Sequence, residues 1–280
     1  MSFKEDGFEI RKNFIQLDRL ETIRSKMLEI MAPFCDYPTD RPDSLDKCFA
    51  EIGAKSQTLK SNCYKMFSRL ADLPLMLTEP NIAKVIADNG FRNFTIQATS
   101  VFCIEPNDDR HIFLPHQDLV DRMSLKTLQF WIPLSTGKDI GGVAVWKGSH
   151  VKGPIKHKWR TEEAFRADPK QKFQKFAGAA GRRKPFGALV LPEEEYAHYE
   201  RVDMIDYELG DALVLTPYTV HGSIPNRGDA MRWTYVIKIE EMVGVDHFRE
   251  DTSPFPMDEY LPPFPEEKMA EASERTPENA

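Results

Sequence analysis

Apolar side chains recur at helical spacing in the first ninety residues. Between residues 17 and 34 the apolar positions fall three or four apart, which predicts a helix with one buried side. These positions are Leu20, Ile23, Met27, Ile30 and Met31. Similar spacing predicts helices over 59–73, which Pro74 ends, and over 81–88. Residues 36–57 are rich in Pro and Asp and show no clear period, so no element is predicted there.

From residue 94 the period of the pattern changes to two. Alternation from Phe94 to Ile104 predicts the first long strand. Further short segments of this kind lie at 114–118, 128–134, 142–146, 188–191, 202–207, 212–215 and 232–240. Many short strands after a helical N-terminal part favour a mainly β fold over an alternating α/β sheet. The predicted architecture is a double-stranded β-helix, the jelly roll of cupin-like proteins.

Length and aromatic content agree with one domain. The chain has 280 residues and an aromatic share of 11%, enough for a single β-sandwich with a sizeable core. We predict one domain over 1–250, with a helical part at 15–90, a jelly-roll core at 94–240 and an insertion at 147–184. The Pro-rich segment 251–280 is predicted to be a tail that is disordered in part.

Composition argues against several partners. The formal charge of −7 disfavours general affinity for nucleic acid or anionic lipid, and no apolar run approaches the length that spans a membrane. The four cysteines lack paired spacing, and no secretory signal precedes them. They are predicted to be free thiols in a cytoplasmic protein. The expected partner is a small-molecule substrate, and the oligomeric state stays open.

Two histidines and an aspartate have the spacing of a metal site. His116 and Asp118 flank Gln117 on a predicted strand, where residues two apart point the same way. His221 adds a third ligand from a distant strand. Two imidazoles and one carboxylate on one face leave the opposite face open, an arrangement typical of non-haem Fe(II) oxygenases. The pattern predicts a protein that activates O2.

Arg232 and Ser223 strengthen the oxygenase hypothesis. Such an enzyme usually needs a keto-acid cosubstrate, whose far carboxylate suits a planar, permanently charged, two-pronged donor. Alternation along 232–239 places Arg232 and Lys238 opposite the bulky face, which is predicted to pack against helices. That bulky face consists of Trp233, Tyr235, Ile237 and Ile239. Arg232 would therefore point inward, with Ser223 beside it as a hydroxyl donor.

Four motifs, in this order, resemble the phytanoyl-CoA dioxygenase family. They are FLPHQDL at 113–119, GGVAVWKGSH at 141–150, GDAL at 210–213 and HGSIPNR at 221–227. The segment DGFEIRKNF at 6–14 also resembles the opening strand of that family. The resemblance spans most of residues 6–240.

The resemblance implies a cofactor set and a reaction. His116, Asp118 and His221 become ligands of Fe(II), and Arg232 with Ser223 becomes the clamp on 2-oxoglutarate. The implied reaction consumes O2 and releases succinate and CO2. Halogenating enzymes that resemble this family have a small residue at the position of Asp118. The carboxylate therefore favours hydroxylation or a related oxidation.

Several further residues are candidates for the pocket. Gln129 and Trp131 share one face of a predicted strand, and an amide beside an aromatic wall suits a keto-acid carboxylate. A partly exposed amide is the alternative interpretation of Gln129. Gln97 is a weaker candidate of the same sort, and His150 is interpreted as structural or substrate-facing. Gln117 points away from the metal but is a candidate for the border of the cosubstrate pocket.

The insertion at 147–184 is basic in an otherwise acidic chain. It holds twelve Lys and Arg residues against three acidic ones. Such clustering can steer an anionic substrate, which makes Arg182 and Arg183 candidate substrate contacts. The alternative is a solvated lid with a helix over 162–176. The sequence leaves both interpretations open, as it does the substrate and the carbon that is oxidised.

Two other functions compete with the dioxygenase hypothesis. A cupin-type metal-dependent isomerase or small-molecule binding protein is the first, because the same scaffold carries non-oxidative functions. Arg232 argues against it, since an isomerase has no need of a carboxylate clamp. The second is a non-catalytic relic that binds metal for stability, which the intact set of ligands and clamp disfavours.

Overall fold

A computed structural model describes residues 3–109, 112–119, 124, 126–155 and 189–242. It also gives the backbone of three short strands, β5 (Lys158–Trp159), β6 (Lys175–Ala177) and β7 (Arg183–Pro185). Arg182, most of the helix predicted over 162–176 and the tail at 251–280 lie outside the described residues. Lys175 and Phe176, at the end of that predicted helix, belong to a strand instead.

The predicted N-terminal helices are present with shifted ends. The described helices are α1 (Phe3–Asp6), α2 (Leu17–Met31), α3 (Ser44–Lys55), α4 (Gln57–Phe67), α5 (Asp72–Leu75) and α6 (Pro80–Asp88). The single helix predicted over 59–73 is thus two, α4 and α5. Helix α3 was not predicted, although its buried residues Leu45, Cys48, Phe49 and Ile52 are three or four apart. None of the described helices is long and apolar enough to cross a membrane.

The structure describes nine more strands, and eight of them form two antiparallel sheets. The nine are β1 (Phe8–Arg11), β2 (Phe94–Ile104), β3 (Thr127–Pro133), β4 (Gly142–Trp146), β8 (Leu189–Val190), β9 (Arg201–Met204), β10 (Ala212–Leu215), β11 (His221–Ile224) and β12 (Arg232–Glu241). One sheet has five strands in the order β1-β10-β3-β12-β2, and the other has three in the order β11-β4-β9. Short pairs join β5 to β8 and β6 to β7. The mainly β prediction is confirmed.

Apolar side chains fill the space between the two sheets and the space under the helices. Between the sheets, Trp131 and Val236 of the larger sheet pack with Val143 of the smaller one. On its other face the larger sheet packs against the helices through Trp233, whose ring lies 4.9 Å from that of Phe49 in α3. Trp233, Tyr235, Ile237 and Ile239 all belong to this second cluster. The predicted facing of β12 is therefore confirmed, and its alternate residues point between the sheets.

The segment around His116 is not the strand predicted over 114–118. It forms only an isolated β-bridge between His116 and His221. The two residues exchange backbone hydrogen bonds, with N–O distances of 2.9 and 3.0 Å. This bridge fixes two distant parts of the chain side by side.

Candidate metal centre and cosubstrate cleft

His116, Asp118 and His221 meet as the spacing predicts. His116 Nε2 lies 3.6 Å from Asp118 Oδ1, and His221 Nε2 lies 3.5 Å from Asp118 Oδ2. One donor atom from each residue lies within 4.8 Å of the others. Two imidazoles and one carboxylate at this spacing fit a divalent iron ion bound on one face.

Backbone carbonyls orient both imidazole rings. His116 Nδ1 lies 2.7 Å from the carbonyl oxygen of Leu114, and His221 Nδ1 lies 2.9 Å from that of Thr219. A carbonyl only accepts, so each Nδ1 carries the hydrogen and each Nε2 keeps its lone pair for a metal. Burial lowers the pKa of His221, and the neighbouring His116 lowers it further. His221 is thereby held in the neutral form that a metal ligand needs.

Lys238 contacts the aspartate of this cluster. Its Nζ lies 2.6 Å from Asp118 Oδ2. Burial raises the pKa of Asp118, but the positive charge of Lys238 opposes this effect, and that pKa lies well below its usual range. Alternation along β12 placed Lys238 on the inward face. Its contact with Asp118 could not be predicted, because it depends on how a distant segment folds over the sheet.

The cluster lies at one end of a cleft between the sheets. Its polar lining is His116, Asp118, Gln129, His221, Ser223, Arg232, Thr234 and Lys238. Its apolar lining includes Phe102, Ile104, Phe113, Trp131, Val143 and Val236. Arg232, Thr234, Val236 and Lys238 are alternate residues of β12, so one strand forms the floor of the cleft.

Arg232 is a buried cation at the other end of this floor. It is 4% exposed, and its Nη1 donates to the carbonyl oxygens of Gly142 at 3.0 Å and Ile224 at 2.6 Å. No described acidic side chain pairs with it. Burial lowers the pKa of Arg232, but a guanidinium stays protonated in proteins. The cleft therefore presents a permanent charge that suits an incoming carboxylate.

Gly141 makes room for this arginine. Its φ is +76°, and a Cβ there would lie 2.4 Å from the carbonyl oxygen of Ile224 and 2.7 Å from Arg232 Nη1. A glycine is needed at this position both for the backbone angle and for the close approach of the guanidinium.

Three more of the predicted residues line the cleft. Ser223 Oγ accepts from the backbone N–H of Phe113 at 3.2 Å, which leaves its hydroxyl hydrogen for a second partner. Gln129 is 5% exposed, and its Oε1 has no hydrogen-bond partner among the described residues. Trp131 forms part of the apolar wall. The interpretation of Gln129 as a partly exposed amide is wrong, because the sheet buries it.

Gln117 does not line the cleft. Its Nε2 donates to the carbonyl oxygens of Gly153 at 2.9 Å and Tyr218 at 2.6 Å, and its Oε1 accepts from the N–H of Ile155 at 2.7 Å. The side chain points away from the metal ligands, as alternation predicts, but it ties three loops together. Its predicted place at the cosubstrate pocket is corrected accordingly.

Gln97 and His150 also lie away from the cleft lining. Gln97 falls at an irregularity in the pairing of β2 with β12, where Ala98 pairs with Lys238 and Ile96 with Ile239. His150 Nε2 lies 3.0 Å from the carbonyl oxygen of Lys4, so the structural interpretation of His150 is the one that holds. The substrate contacts predicted for Arg182 and the side chain of Arg183 lie outside what the structure describes.

The sequence matches the family model of phytanoyl-CoA dioxygenase (PhyH) over residues 3–234. The chain belongs to the phytanoyl-CoA dioxygenase family. The resemblance seen in the four motifs is thereby confirmed. The cluster of two histidines and an aspartate lies within the matched residues.

One curated relative matches part of the chain. It is 1-deoxypentalenic acid 11-beta-hydroxylase of Streptomyces exfoliatus, 37% identical over 99 residues. The match covers 34% of this chain and only 28% of the relative's length.

Solved structures with a similar fold share little sequence. EvdO2 from Micromonospora carbonacea var. aurantiaca, complexed with 2-oxoglutarate, has a TM-score of 0.53 at 15% identity, over 91% of this chain and 92% of its own. The apo form of ThoJ, a non-haem monooxygenase, has a TM-score of 0.52 at 18% identity, over 90% of this chain and 84% of its own. These similarities confirm the jelly-roll fold.

Proposed function

We propose that this protein is an Fe(II)- and 2-oxoglutarate-dependent dioxygenase in which His116, Asp118 and His221 bind the iron. The observation that carries the proposal is the convergence of three donor atoms within 4.8 Å, with both Nε2 atoms near one carboxylate. Arg232 supports it, because a buried cation without a described acidic partner suits the carboxylate of a cosubstrate.

Each part of the cleft has a role in this proposal. Arg232 and Ser223 bind the far carboxylate of 2-oxoglutarate, while the apolar walls formed by Phe102, Phe113 and Trp131 exclude water. When bound, iron and 2-oxoglutarate supply the activation of O2 and the oxidation of a C–H bond, with succinate and CO2 as products. Carbonyl bonds to both imidazoles keep Nε2 aimed at the metal position.

Asp118 makes hydroxylation, or a related oxidation, the favoured reaction. Its carboxylate lies beside both imidazoles and forms an ion pair with Lys238, which supports its role as the third ligand. Because a carboxylate would occupy this coordination position, no position is left there for a halide. We infer that the primary substrate is a small molecule that is oxidised rather than halogenated.

Turnover of 2-oxoglutarate tests this function. Protein supplied with Fe(II), ascorbate and air should convert 2-oxoglutarate to succinate slowly even without a primary substrate, and His221→Ala should abolish this conversion. His198→Ala is the matched control, since His198 is exposed and does not line the cleft. Failure of folded, iron-loaded protein to form succinate with or without a metabolite library would favour the isomerase or binding-protein alternative.

We further propose that the substrate is anionic. Support comes from the twelve basic against three acidic residues of the segment 147–184, in a chain with a net charge of −7. Screening shortens the range of charge steering to about 8 Å near physiological ionic strength, so capture of the substrate should weaken as salt rises.

Reversing the charge of three basic residues tests whether the segment 147–184 steers an anionic substrate or is only a solvated lid. Changing Arg182, Arg183 and Lys184 together to Glu should raise the KM for the true substrate and leave substrate-free succinate formation unchanged. The control with the same change in net charge is Lys65→Glu with Arg69→Glu and Lys84→Glu, all of them exposed. Best substrates that are neutral or cationic, with turnover indifferent to salt and to the reversal, would contradict an anionic substrate.

A further inference from the structure

The carboxylate of Asp46 accepts hydrogen bonds from both chain neighbours of Arg232. The backbone N–H of Met231 donates to Asp46 Oδ2, and the indole Nε1 of Trp233 donates to Asp46 Oδ1, each at 2.8 Å. Both carboxylate oxygens accept, as those of an ionised carboxylate can, and bonds to a charged acceptor are stronger than bonds between neutral groups. One side chain of α3 therefore holds the chain immediately before and immediately after Arg232.

The strand β12 separates this anchor from the cleft. Trp233 faces the helices and is 0% exposed, and its ring packs edge-on against Phe49 and Phe67, with centroids 4.9 and 5.9 Å away. Arg232 points to the opposite face of the strand and lines the cleft, whereas Asp46 does not line it. Any effect of Asp46 on a ligand in the cleft must therefore act through Arg232.

Ser135 holds the same two neighbours through their backbone. Its Oγ donates to the carbonyl oxygen of Met231 at 2.9 Å and accepts from the N–H of Trp233 at 2.8 Å. The N–H of Leu134 donates to the carbonyl oxygen of Trp233 at 2.9 Å. Together with the bond to Asp46, these contacts give a partner to every backbone N–H and C=O group of Met231 and Trp233. The arginine between them thus starts from a backbone that is fixed on both sides.

Arg232 is the first residue of β12, where strand pairing supports the backbone from one direction only. Its long side chain amplifies any displacement of its Cα, and two-pronged binding of a carboxylate tolerates little displacement. We propose that Asp46 is a positioning residue, which fixes the start of β12 so that Arg232 meets the far carboxylate of 2-oxoglutarate in this two-pronged geometry. The inference rests on the proposed function, and it extends the cosubstrate site to a helix outside the four family-like motifs.

Asp46→Asn tests the inference because charge and position predict opposite effects. If the carboxylate acted only through its negative charge, removing that charge would tighten the binding of anionic 2-oxoglutarate. The amide keeps one acceptor but presents N–H groups to the second donor, so the start of β12 should be released. With Mn(II) in place of iron and no O2, calorimetry should therefore show 2-oxoglutarate binding about five- to tenfold more weakly, with the Mn(II) affinity unchanged.

Two controls separate positioning from a general loosening of the helices. In 2-oxopentanoate a methyl group replaces the far carboxylate, so this keto acid should bind equally to Asp46→Asn and to the parent protein. Tyr235→Phe removes another hydrogen bond between β12 and the helices, which Tyr235 Oη donates to the carbonyl oxygen of Leu73 at 2.7 Å. This variant should lose Tm and keep the 2-oxoglutarate affinity of the parent protein.

Several results would overturn the inference. They are equal or tighter 2-oxoglutarate binding in Asp46→Asn, an equal loss in Tyr235→Phe, and weaker binding of both keto acids in Asp46→Asn. If Asp46→Asn does not fold, hydrogen exchange of the Trp233 indole N–H in the parent protein decides, because coupling between two sites is reciprocal. 2-Oxoglutarate should slow this exchange more than 2-oxopentanoate does, and equal exchange with the two ligands would overturn the inference. If the parent protein binds no 2-oxoglutarate, the proposed function fails instead.

Discussion

Lys238 Nζ lies 2.6 Å from Asp118 Oδ2, so a lysine of β12 forms an ion pair with the carboxylate proposed as an iron ligand. The same strand carries Arg232 at the other end of the cleft floor. One strand thus provides a cation at each end of the cleft. The two cations have different surroundings. Among the described residues Arg232 donates hydrogen bonds only to carbonyl oxygens, whereas Lys238 contacts the carboxylate proposed as a metal ligand.

Replacing Lys238 should strengthen the binding of a divalent metal. Lys238→Met removes a positive charge that repels the ion and competes for Asp118. Unit charges a few ångströms apart interact by about 1 to 4 kcal/mol near a protein surface, so the Mn(II) affinity should rise about tenfold. Anaerobic calorimetry measures this, with the exposed Lys84→Met as control. Weaker Mn(II) binding in Lys238→Met would mean that the lysine mainly orients Asp118.

Arg232→Lys should weaken 2-oxoglutarate binding and leave metal binding nearly unchanged. Lysine keeps the charge but loses the planar, two-pronged donor, and a charge-assisted pair contributes about 1.5 to 3 kcal/mol. Affinity for 2-oxoglutarate should fall by about one to two orders of magnitude in a Mn(II)-loaded, anaerobic titration. Arg227→Lys is the control, because Arg227 is paired with Asp109 at 2.7 Å and does not line the cleft. If Arg227→Lys shows the loss and Arg232→Lys does not, the clamp is Arg227.

Gly141→Ala should disturb the arginine site through a steric clash. The new Cβ would lie 2.4 Å from the carbonyl oxygen of Ile224, which accepts from Arg232. Gly148→Ala is the control, since its φ of +78° is close to that of Gly141 but the nearest atom to a Cβ there, the carbonyl oxygen of Glu5, lies 4.0 Å away. Both variants should lose about 1 to 2 kcal/mol of stability from the left-handed backbone. Only Gly141→Ala should also lose 2-oxoglutarate affinity. Equal affinities in the two variants would contradict the steric role of Gly141 beside Arg232.

Asp211 should stabilise the fold in a pH-dependent way. Its carboxylate accepts from Lys12 Nζ at 2.8 Å and from the backbone N–H groups of Asn13 at 3.1 Å and Glu208 at 2.9 Å. Burial raises the pKa of Asp211, but these three donors together lower it below its ordinary value of 3.8. The contribution is therefore complete above the ordinary pKa and is lost as pH falls through the folded-state pKa.

Asp211→Asn checks this at two pH values. The variant should be about 2 kcal/mol less stable than the parent protein in urea unfolding at neutral pH. The difference should shrink below about pH 4, where the carboxylate of the unfolded chain takes up protons, and should vanish once the folded-state carboxylate is protonated too. Asp203→Asn, at an exposed position of β9, should show little difference at either pH. A stability difference that does not change with pH would assign the role of Asp211 to packing.

The sequence predicts what depends on local periodicity and misses what depends on which strands become neighbours. Alternation by two correctly predicted that Arg232 and Lys238 point inward and that Gln117 points away from the metal ligands. The partners of Gln117, Gly153 and Tyr218, could not be predicted, because they come from loops far along the chain. The ion pair of Lys238 and the edge-on contact of Tyr207 with Trp131 depend on the same kind of long-range packing.

Helix α3 was missed for a different reason. Its buried positions, among them Leu45, Phe49 and Ile52, do follow helical spacing. The Pro- and Asp-rich residues before it, around 36–43, conceal the start of the period. Phe49 of this helix packs on Trp233, so α3 supports the strand that carries Arg232 from its outer face.

Anaerobic addition of Fe(II) and 2-oxoglutarate tests the central claim most directly. Chelation of iron by the keto acid produces a visible metal-to-ligand charge-transfer band, which should form in the parent protein at one equivalent of iron. His116→Ala, Asp118→Ala and His221→Ala should each lose the band and keep the circular dichroism and Tm of the metal-free protein nearly unchanged. Absence of the band in folded parent protein, or a full band in any of these three variants, would contradict the assignment of these residues as the iron site.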